Sequence, residues 1–308
     1  MTARKVIIDC DPGTDDAIAL FLALASPELD VALITAVGGN VGLDHTLRNA
    51  RALVGLTGKP IPVVAGADRP LLGSFIPEPR VHGRNGIGGV TLPDGPPVTP
   101  GLGSDAIREV LRAAAPGEIT LVGIGPATNL ALAVASEPAL LDRVAEIVLM
   151  TGAWAEGNVT PAAEFNAWND PEALAIVLSC GRPITLATLE LTAQALATPD
   201  WIAAQQGRGG ACMEAAHTIL ASVPPSPRLG GRGTPQHDAC AIAWLIAPEL
   251  FTHRAVHAAV DLTRGPGRGR TVIDRWGKLP GPRNAALLET LDAPGFFALL
   301  ARRIAALP

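Results

Sequence analysis

The sequence has 308 residues, of which 48% are hydrophobic and 17% are charged, and its formal net charge is −5. This composition supplies enough apolar residues for a sizeable core and excludes an intrinsically disordered chain. The 24 Lys and Arg residues form no cluster, which argues against a nucleic-acid-binding protein.

Hydropathy and cysteine spacing predict the cellular location. No apolar run approaches the roughly 18 residues of a membrane span, and a first strand that begins by residue 5 leaves no room for a secretory signal ahead of it. We therefore expect a cytoplasmic protein without a membrane partner. The widely separated Cys10, Cys180, Cys212 and Cys240 favour buried free thiols over disulfides or a thiolate zinc site.

Apolar segments rich in β-formers alternate with helical patterns from residue 5 to residue 190. Strands are predicted in KVIID, VALITAVGG, IPVVAG, EITLVGIG, EIVLMTG and PITLATLE. Helices are predicted in DDAIALFLALAS, LDHTLRNARALVGLTG, SDAIREVLRAAA, ATNLALAVAS and DPEALAIVLSC. This alternation predicts one α/β domain, residues 1–308, with a mainly parallel central sheet flanked by helices.

Two segments rich in Gly and Pro, residues 66–102 and 222–236, interrupt the alternation. Loops of this length inside a compact domain are usually functional, so both are predicted to be active-site loops. From residue 251 the strand-like segments FTHRAVHAAVDL and RTVID follow, and APGFFALLARRIAAL predicts a final helix. The two histidines of HRAVH lack the glutamate of a zinc-binding HExxH motif and are interpreted as strand or surface residues.

The segment DCDPGTDDAIAL places Asp9, Asp11, Asp15 and Asp16 within eight positions, directly after a buried strand. Carboxylates this close together repel one another unless a cation or hydrogen-bond donors neutralise them. A hard divalent cation is the economical solution, since Ca²⁺ accepts six to eight oxygen ligands and Mg²⁺ binds while keeping more of its water. Helix capping and an Asx turn are the simpler interpretation, but they account for only two of the four aspartates.

Polar residues also follow other predicted strands. Asn40 ends the segment GGN, Asn129 ends GPATN, and TGAWAEGNVTPAAEFN follows the fifth strand. Because ligands bind at the carboxyl ends of the strands in open parallel sheets, these segments predict one site at that edge.

Five segments together resemble the inosine-uridine-preferring nucleoside hydrolase family: DCDPGTDDAIAL, GGN at 38–40, GPATN at 125–129, GNVTPAAEFN at 157–166 with DPEA after it, and HDA at 237–239. They occur in the family's order from residue 9 to about residue 240. The resemblance implies a Rossmann-like nucleoside hydrolase fold and Ca²⁺-dependent cleavage of ribonucleosides to ribose and free base through an oxocarbenium-like transition state. It also implies a role in purine and pyrimidine salvage or catabolism and a homodimer or homotetramer.

The same resemblance implies a metal site. Ca²⁺ would be held by Asp11, Asp16, Asp238 and the main-chain carbonyl of Ile124. Asp11 would also be the general base for a water molecule on the metal, since Ca²⁺ acidifies water less than zinc does.

It further implies how the ribose is bound. Asp15 and Asn166 would bind the ribose hydroxyls, and Asn40 would position the sugar and the water. Asn158 and Glu164 would bind the 5′-hydroxyl end.

The leaving base would be protonated by a histidine. His237, next to the last metal aspartate, and His82, in VHGRNGIGG, match the family's histidines near the base. For His82, a hydrogen bond that only orders its loop is the alternative. Trp154 and Phe165 are candidates for lining the base pocket, with core packing as the alternative. The chain has no tyrosine, and some family members contact the base with one, so the preferred base stays open.

Two other functions are compatible with parts of the pattern. A haloacid dehalogenase-type phosphatase also has an acidic turn after its first strand, but here Pro12 precedes Gly13 and the chain has only three lysines. A non-catalytic nucleoside or sugar receptor would bind with the same polar residues but has no chemical use for a base and an acid. Hydrolysis is therefore the main prediction.

Overall fold

The structure, a computed structural model, describes residues 3–308. Its strands in chain order are β1 (Arg4–Cys10), β2 (Leu29–Ala36), β3 (Val63–Ala65), β4 (Ile119–Gly123), β5 (Val144–Met150), β6 (Ile184–Ala187), β7 (Leu196–Ala197), β8 (Thr234–Pro235), β9 (Phe251–Val260), β10 (Thr271–Asp274) and β11 (Ala285–Leu291). Within the described range, all except β7 and β8 form one nine-stranded sheet of order β10-β9-β11-β6-β5-β4-β1-β2-β3. The strands from β3 to β11 in this order are parallel, whereas β9 is antiparallel to both of its neighbours.

Helices cover both faces of the sheet. They are α1 (Thr14–Ala25), α2 (Leu43–Thr57), α3 (Pro79–His82), α4 (Gly103–Ala113), α5 (Thr128–Ser136), α6 (Phe165–Asn169), α7 (Pro171–Leu178), α8 (Leu189–Thr192), α9 (Pro199–Ala203), α10 (Ala211–Ala221), α11 (His237–Ile246) and α12 (Ala293–Ile304). One apolar core joins the sheet to α1, α10, α11 and α12, and a second joins the opposite face to α4, α5 and α7. The predicted α/β fold with a mainly parallel sheet is confirmed.

Strand β1 lies between β4 and β2 in the interior of the sheet and positions the acidic turn. Val6 and Ile8 belong to the core on the α1 side, whereas Ile7 belongs to the opposite core. Because side chains alternate between the faces of a strand, a strand covered on both faces must be apolar at every position. The run Val6-Ile7-Ile8 therefore places β1 in the interior of the sheet, where it pairs with β4 and β2.

The C-terminal third of the sheet was only partly predicted. FTHRAVHAAVDL and RTVID form β9 and β10, and the two histidines of HRAVH lie on β9 as expected. Strand β11 was missed, although it lies between β6 and β9. Its sequence AALLETL has few β-branched residues, so its position in the sheet comes from packing between two neighbours.

Three further predictions concern the loops, the thiols and the membrane spans. The segment 66–102 is irregular apart from α3, and the segment 222–236 contains a short 3₁₀ turn and β8. All four cysteines are free thiols, but Cys180 is only half-buried, because it lies just beyond the end of α7 near the surface. Among the helices of residues 3–308, none is both long and apolar enough to cross a membrane.

Candidate active site

The acidic turn connects the end of β1 to the start of α1. Asp11 lies in the connection, and Asp15 and Asp16 lie in the first turn of the helix. Main-chain N–H groups at a helix N-terminus favour nearby negative charge. All three carboxylates are buried, with exposed fractions of 1%, 8% and 0%. The turn therefore holds an unusual density of charge away from solvent.

The buried carboxylate of Asp16 stabilises the turn by accepting three hydrogen bonds. Its Oδ1 accepts a hydrogen bond from the main-chain N–H of Asp11 at 3.2 Å, and its Oδ2 accepts one from the N–H of Gly13 at 2.9 Å. The side-chain amide of Asn40 also donates to Oδ2, at 3.1 Å. These three donors compensate part of the cost of burying this carboxylate.

Asp11 is held by one of its oxygens only. The main-chain N–H of Asn40 donates to Oδ2 at 2.7 Å, and the Asn40 side chain donates to the main-chain carbonyl of Asp11 at 3.1 Å. Oδ1 is buried and has no hydrogen-bond partner within residues 3–308. Since a buried acceptor without a partner is costly, this atom is available to a ligand.

Glycines in the neighbouring segments make room for Asp11. A Cβ atom at Gly39 would overlap Asp11 Oδ2, and one at Gly125 would come within 2.6 Å of Asp11 Oδ1. At Gly13, a Cβ atom would lie 2.6 Å from His82 Nδ1. Gly39 of GGN and Gly125 of GPATN are therefore required because the Asp11 carboxylate lies against their Cα atoms.

Asp238 completes the acidic cluster from the opposite helix. It lies in the first turn of α11, which packs against α1. Carboxylate oxygens of Asp15, Asp16 and Asp238 lie within 4.8 Å of one another, so these residues could hold a metal ion. The carboxyl groups of Asp16 and Asp238 are close enough for each to shift the pKa of the other, and a proton or a cation between them would relieve their repulsion.

Burial and mutual repulsion perturb the whole cluster. Burial, with the charge of Asp15 as the next cause, raises the pKa of Asp16 to about 7. The pKa values of Asp11 and Asp238 are raised well above the usual range, again by burial first and then by the neighbouring carboxylates. In the absence of a cation, these groups therefore retain protons that an exposed aspartate loses near pH 4.

Asn166 and the carbonyl of Ile124 meet at the end of β4. The Asn166 side-chain NH₂ donates to the carbonyl oxygens of Ile124 and Met150, both at 3.0 Å. Both N–H groups are thus used, which leaves Oδ1 as an acceptor. The carbonyl of Ile124 keeps a second lone pair, so its contact with Asn166 is compatible with a metal ligand there.

Glu164 caps helix α6 and is buried, with 2% of its surface exposed. It accepts hydrogen bonds from the N–H groups of Asn166, Gly152 and Ala167 at 2.8, 2.8 and 3.0 Å, and from the hydroxyl of Thr151 at 3.2 Å. In this structure Glu164 therefore positions the main chain around Asn166.

Asn158 is exposed and lies on the loop that precedes α6. Its Oδ1 accepts a hydrogen bond from the N–H of Phe165 at 2.9 Å. Its side-chain NH₂ remains as the group that could reach a ligand. The contacts of Asn158 and Glu164 with a 5′-hydroxyl stay predictions.

The two predicted histidines come from distant segments, and each is bound through Nδ1. His82 Nδ1 accepts from the main-chain N–H of Thr14 at 3.2 Å and lies 3.2 Å from the Thr14 hydroxyl. His237 Nδ1 lies 2.6 Å from the hydroxyl of Thr192. Burial lowers the pKa of both rings, and the charge of Asp15 opposes that effect in both. Both histidines therefore lie close enough to Asp15 to share one site.

The two predicted aromatic residues are half-buried and do not stack on each other. Trp154 has the guanidinium of Arg275 over its ring, 4.4 Å from the ring centroid, which covers that face. Phe165 is the first residue of α6. Trp154 also packs against the second apolar core, and the role of both residues in lining a base pocket stays a prediction.

A contact between two loops was not predicted. The side chain of Arg228, in the segment 222–236, donates a hydrogen bond to the main-chain carbonyl of Glu156 at 2.7 Å. This bond links the loop that precedes α11 to the loop that precedes α6.

Asp9 has a different role from the other aspartates of the turn. Its Oδ1 accepts hydrogen bonds from Thr35 at 2.6 Å and Asn129 at 2.8 Å, and Asn129 Oδ1 accepts from the N–H of Ala67 at 2.8 Å. Burial raises the pKa of Asp9 to about 7. Asn129, which was predicted at the sheet edge, therefore donates to Asp9 of β1, and Asp9 in turn is bound by Thr35 of β2.

Fold and site together define a single-domain α/β enzyme with an oxygen-rich site at the carboxyl edge of its sheet. The sequence profile of the family "Inosine-uridine preferring nucleoside hydrolase" matches residues 6–298. The pyrimidine-specific ribonucleoside hydrolase RihB of Escherichia coli (strain K12 / DH10B) is 39% identical, over 97% of this chain and 96% of that protein.

Solved structures show the same likeness. The purine-preferring ribonucleoside hydrolase from Gardnerella vaginalis superimposes with a TM-score of 0.90 at 32% identity, over 98% of each chain. A plant nucleoside hydrolase, PpNRh1, gives a TM-score of 0.90 at 32% identity, over 98% of this chain and 99% of that one. This chain belongs to the inosine-uridine preferring nucleoside hydrolase family, and its enzymatic class is that of the ribonucleoside hydrolases.

Proposed function

We propose that this ribonucleoside hydrolase is Ca²⁺-dependent and cleaves the N-glycosidic bond with Asp11 as general base and a histidine as general acid. The observation that carries the proposal is the buried Oδ1 of Asp11, which has no partner in the described chain while Oδ2 is fixed by Asn40. One oxygen orients the carboxylate, and the other is left to react.

The residues present fit a hard divalent cation. The donor set is made of oxygens: Asp11, Asp16, Asp238 and the carbonyl of Ile124, with Asp15 in the same cluster. Carboxylate and carbonyl oxygens are the ligands that Ca²⁺ takes, and a cation between Asp16 and Asp238 would relieve their repulsion. When bound, the cation would neutralise these carboxylates and bind ribose hydroxyls and water.

Asp11 would accept the proton of the attacking water through Oδ1. Oδ1 is the free atom because it is buried without a partner among residues 3–308, whereas Oδ2 is already bound to the main-chain N–H of Asn40. Water adds to C1′ as the C1′–N bond breaks, and the bonding electron pair goes to the base nitrogen. The positive charge that develops on the ribosyl ring would be stabilised by the surrounding carboxylates.

The ribose would lie against the amides at the sheet edge. Asn166 Oδ1 can accept from a ribose hydroxyl because both of its N–H groups are used. Asp15 can bind the diol, and Asn40 fixes both metal-side aspartates. The exposed NH₂ of Asn158 would reach the 5′-hydroxyl, and Glu164 would hold this region in place.

The leaving base would be protonated by His237, with His82 as a second group on the base. Both rings keep Nε2 available, since each is bound through Nδ1. Trp154 and Phe165 are proposed to line the base pocket. The similar relatives include a pyrimidine-specific and a purine-preferring hydrolase, so both kinds of base are candidates.

An assay of released sugar tests the proposal. The protein is incubated with CaCl₂ or with EDTA, and with inosine, uridine or their 2′-deoxy analogues, and reducing sugar and free base are measured. We expect ribose release with Ca²⁺, little release in EDTA, and poor cleavage of the deoxyribosides. Binding of a nucleoside without ribose release would identify a receptor instead and contradict the proposal. The cytoplasmic location and the homo-oligomeric state stay predictions.

A further inference from the structure

Thr192 contacts His237 from the end of helix α8. Its hydroxyl lies 2.6 Å from His237 Nδ1, and its side chain is fully buried, with 0% exposed. Thr192 lies 45 positions before His237, so no sequence motif connects the two residues. The contact is not part of the acidic cluster.

The bond fixes which atom of the ring can react. Nδ1 is bound by Thr192, whereas Nε2 makes no hydrogen bond to any of residues 3–308. His237 is the first residue of α11 and directly precedes Asp238 of the acidic cluster, so the ring lies beside the groups of the site. Any proton that His237 exchanges with a ligand therefore passes through Nε2.

The position of Thr192 is itself well determined. Its hydroxyl also lies 3.3 Å from the carbonyl oxygen of Leu189, and its main-chain N–H donates to the carbonyl of Thr188 at 3.0 Å. A buried, β-branched side chain in a helical turn has few rotamers, so the hydroxyl is held ready for the imidazole. His82 differs, because a main-chain N–H of Thr14 also binds its Nδ1.

We propose that Thr192 is a positioning residue that holds His237 with Nε2 toward the leaving base, and this inference rests on the proposed function. In the step it supports, the C1′–N bond breaks and its electron pair goes to the base nitrogen. An imidazolium His237, whose Nδ1–H donates to the Thr192 hydroxyl, gives its Nε2 proton to the base and becomes a neutral imidazole. Without Thr192 the ring can rotate about χ1 and χ2, and the proton donor loses its orientation. The donor matters most for a poor leaving group.

The test compares Thr192→Val with Thr192→Ser on two substrates. Thr192→Val keeps the shape of the side chain and removes the hydroxyl. We expect kcat on uridine or inosine to fall about 10-fold or more, with KM changed less than about 3-fold. On 4-nitrophenyl riboside, whose leaving group needs no proton, we expect a rate close to that of the unmodified protein. Thr192→Ser should restore most of kcat.

The matched control is Thr57→Val. Thr57 is also buried, and its hydroxyl donates to the carbonyl three residues earlier, that of Val54 at 2.7 Å, in helix α2 away from the site. It should leave both rates unchanged. Equal losses on both substrates for Thr192→Val, full activity on both, or failure of Thr192→Ser to restore kcat would overturn the inference. Absence of ribose release by the unmodified protein would instead overturn the proposed function.

Discussion

Asn40 binds Asp11 at two points. Its main-chain N–H donates to carboxylate Oδ2 at 2.7 Å, and its side-chain amide donates to the main-chain carbonyl of the same residue at 3.1 Å. The carboxylate of Asp11 is therefore oriented by the protein before any substrate binds, and such preorganisation lowers the cost of reaching the transition state.

Replacement of Asp11 tests this orientation directly. Asp11→Ala removes the proposed base and one metal ligand, so we expect kcat on inosine and uridine to fall by about 10³-fold or more. Asp30→Ala is the matched control, because Asp30 is an exposed carboxylate on β2. Steady-state kinetics with both substrates measure the effect. Near-normal rates in Asp11→Ala would rule out Asp11 as the base.

Gly125→Ala tests the position of the Asp11 carboxylate without replacing Asp11 itself. A Cβ atom at position 125 would lie 2.6 Å from Asp11 Oδ1 and 3.0 Å from a methyl carbon of Val37, so the carboxylate must move. We expect kcat to fall about 10²-fold, the scale of losses that follow a displacement of about 1 Å at a reacting group.

A second glycine in a nearby segment serves as the control for Gly125→Ala. A Cβ atom at Gly42 would meet only the side chain of Asp44, at 2.8 Å, which is exposed and can move. Gly42→Ala should therefore keep its activity, apart from a small loss of stability at the start of α2. If Gly125→Ala were as active as Gly42→Ala, the steric argument would be wrong.

The sequence predicts those parts of the fold whose elements have a local signal. β1 contains the apolar run Val6-Ile7-Ile8 because both of its faces are covered there, and α1 begins with Asp15 and Asp16 in its first turn. By contrast, AALLETL was missed because its residues do not favour a strand, and only the pairing of β11 with β6 and β9 places it in the sheet. The helix α11 is apolar on nearly every side, so it lacks the periodicity of a surface helix.

In the candidate site, too, the sequence predicts the residues that share one segment and misses the contacts that only the fold brings together. Asp11, Asp15 and Asp16 share one short segment, and their charge alone indicates that a cation or hydrogen-bond donors must neutralise them. The contact between Thr192 and His237 joins residues with no common motif, so only the fold reveals it. The spatial cluster of Asp15, Asp16 and Asp238 also differs from the ligand set that the resemblance implies, which includes Asp11 and assigns Asp15 to the sugar.

Removal of divalent cations should lower stability more at neutral pH than at acid pH. Burial and the charge of Asp15 raise the pKa of Asp16 from its ordinary value of 3.8 to about 7. Between these values the cation-free folded chain keeps a proton that the unfolded chain has lost, so its stability falls as the pH rises through this range. A bound cation replaces that proton and removes the loss.

Thermal melting in CaCl₂ and in EDTA measures this effect. We expect Ca²⁺ to raise the melting temperature more at pH 7.5 than at pH 5, where protons compete for the carboxylates. Asp9, whose pKa is also raised to about 7, titrates in both samples, so its contribution cancels in the difference. A larger Ca²⁺ effect at pH 5, or none at either pH, would contradict the assignment of the acidic cluster as a cation site.

His82 can be tested so that a catalytic role is separated from loop ordering. Its Nδ1 accepts a hydrogen bond from the N–H of Thr14, which leaves Nε2 for the base. In His82→Asn, the side-chain oxygen can take the place of Nδ1 and keep the bond to Thr14, whereas no atom replaces Nε2. In His82→Ala both are lost.

We therefore expect both variants to lose about 10²-fold in kcat on uridine and inosine, the loss typical when one hydrogen-bond donor to developing negative charge is removed. Only His82→Ala should also show a lower melting temperature, because the asparagine keeps the bond that ties the loop to α1. Kinetics and thermal melting of the two variants measure the difference. An active His82→Asn beside an inactive His82→Ala would show that His82 only orders its loop, and His237 would then be the single acid of the site.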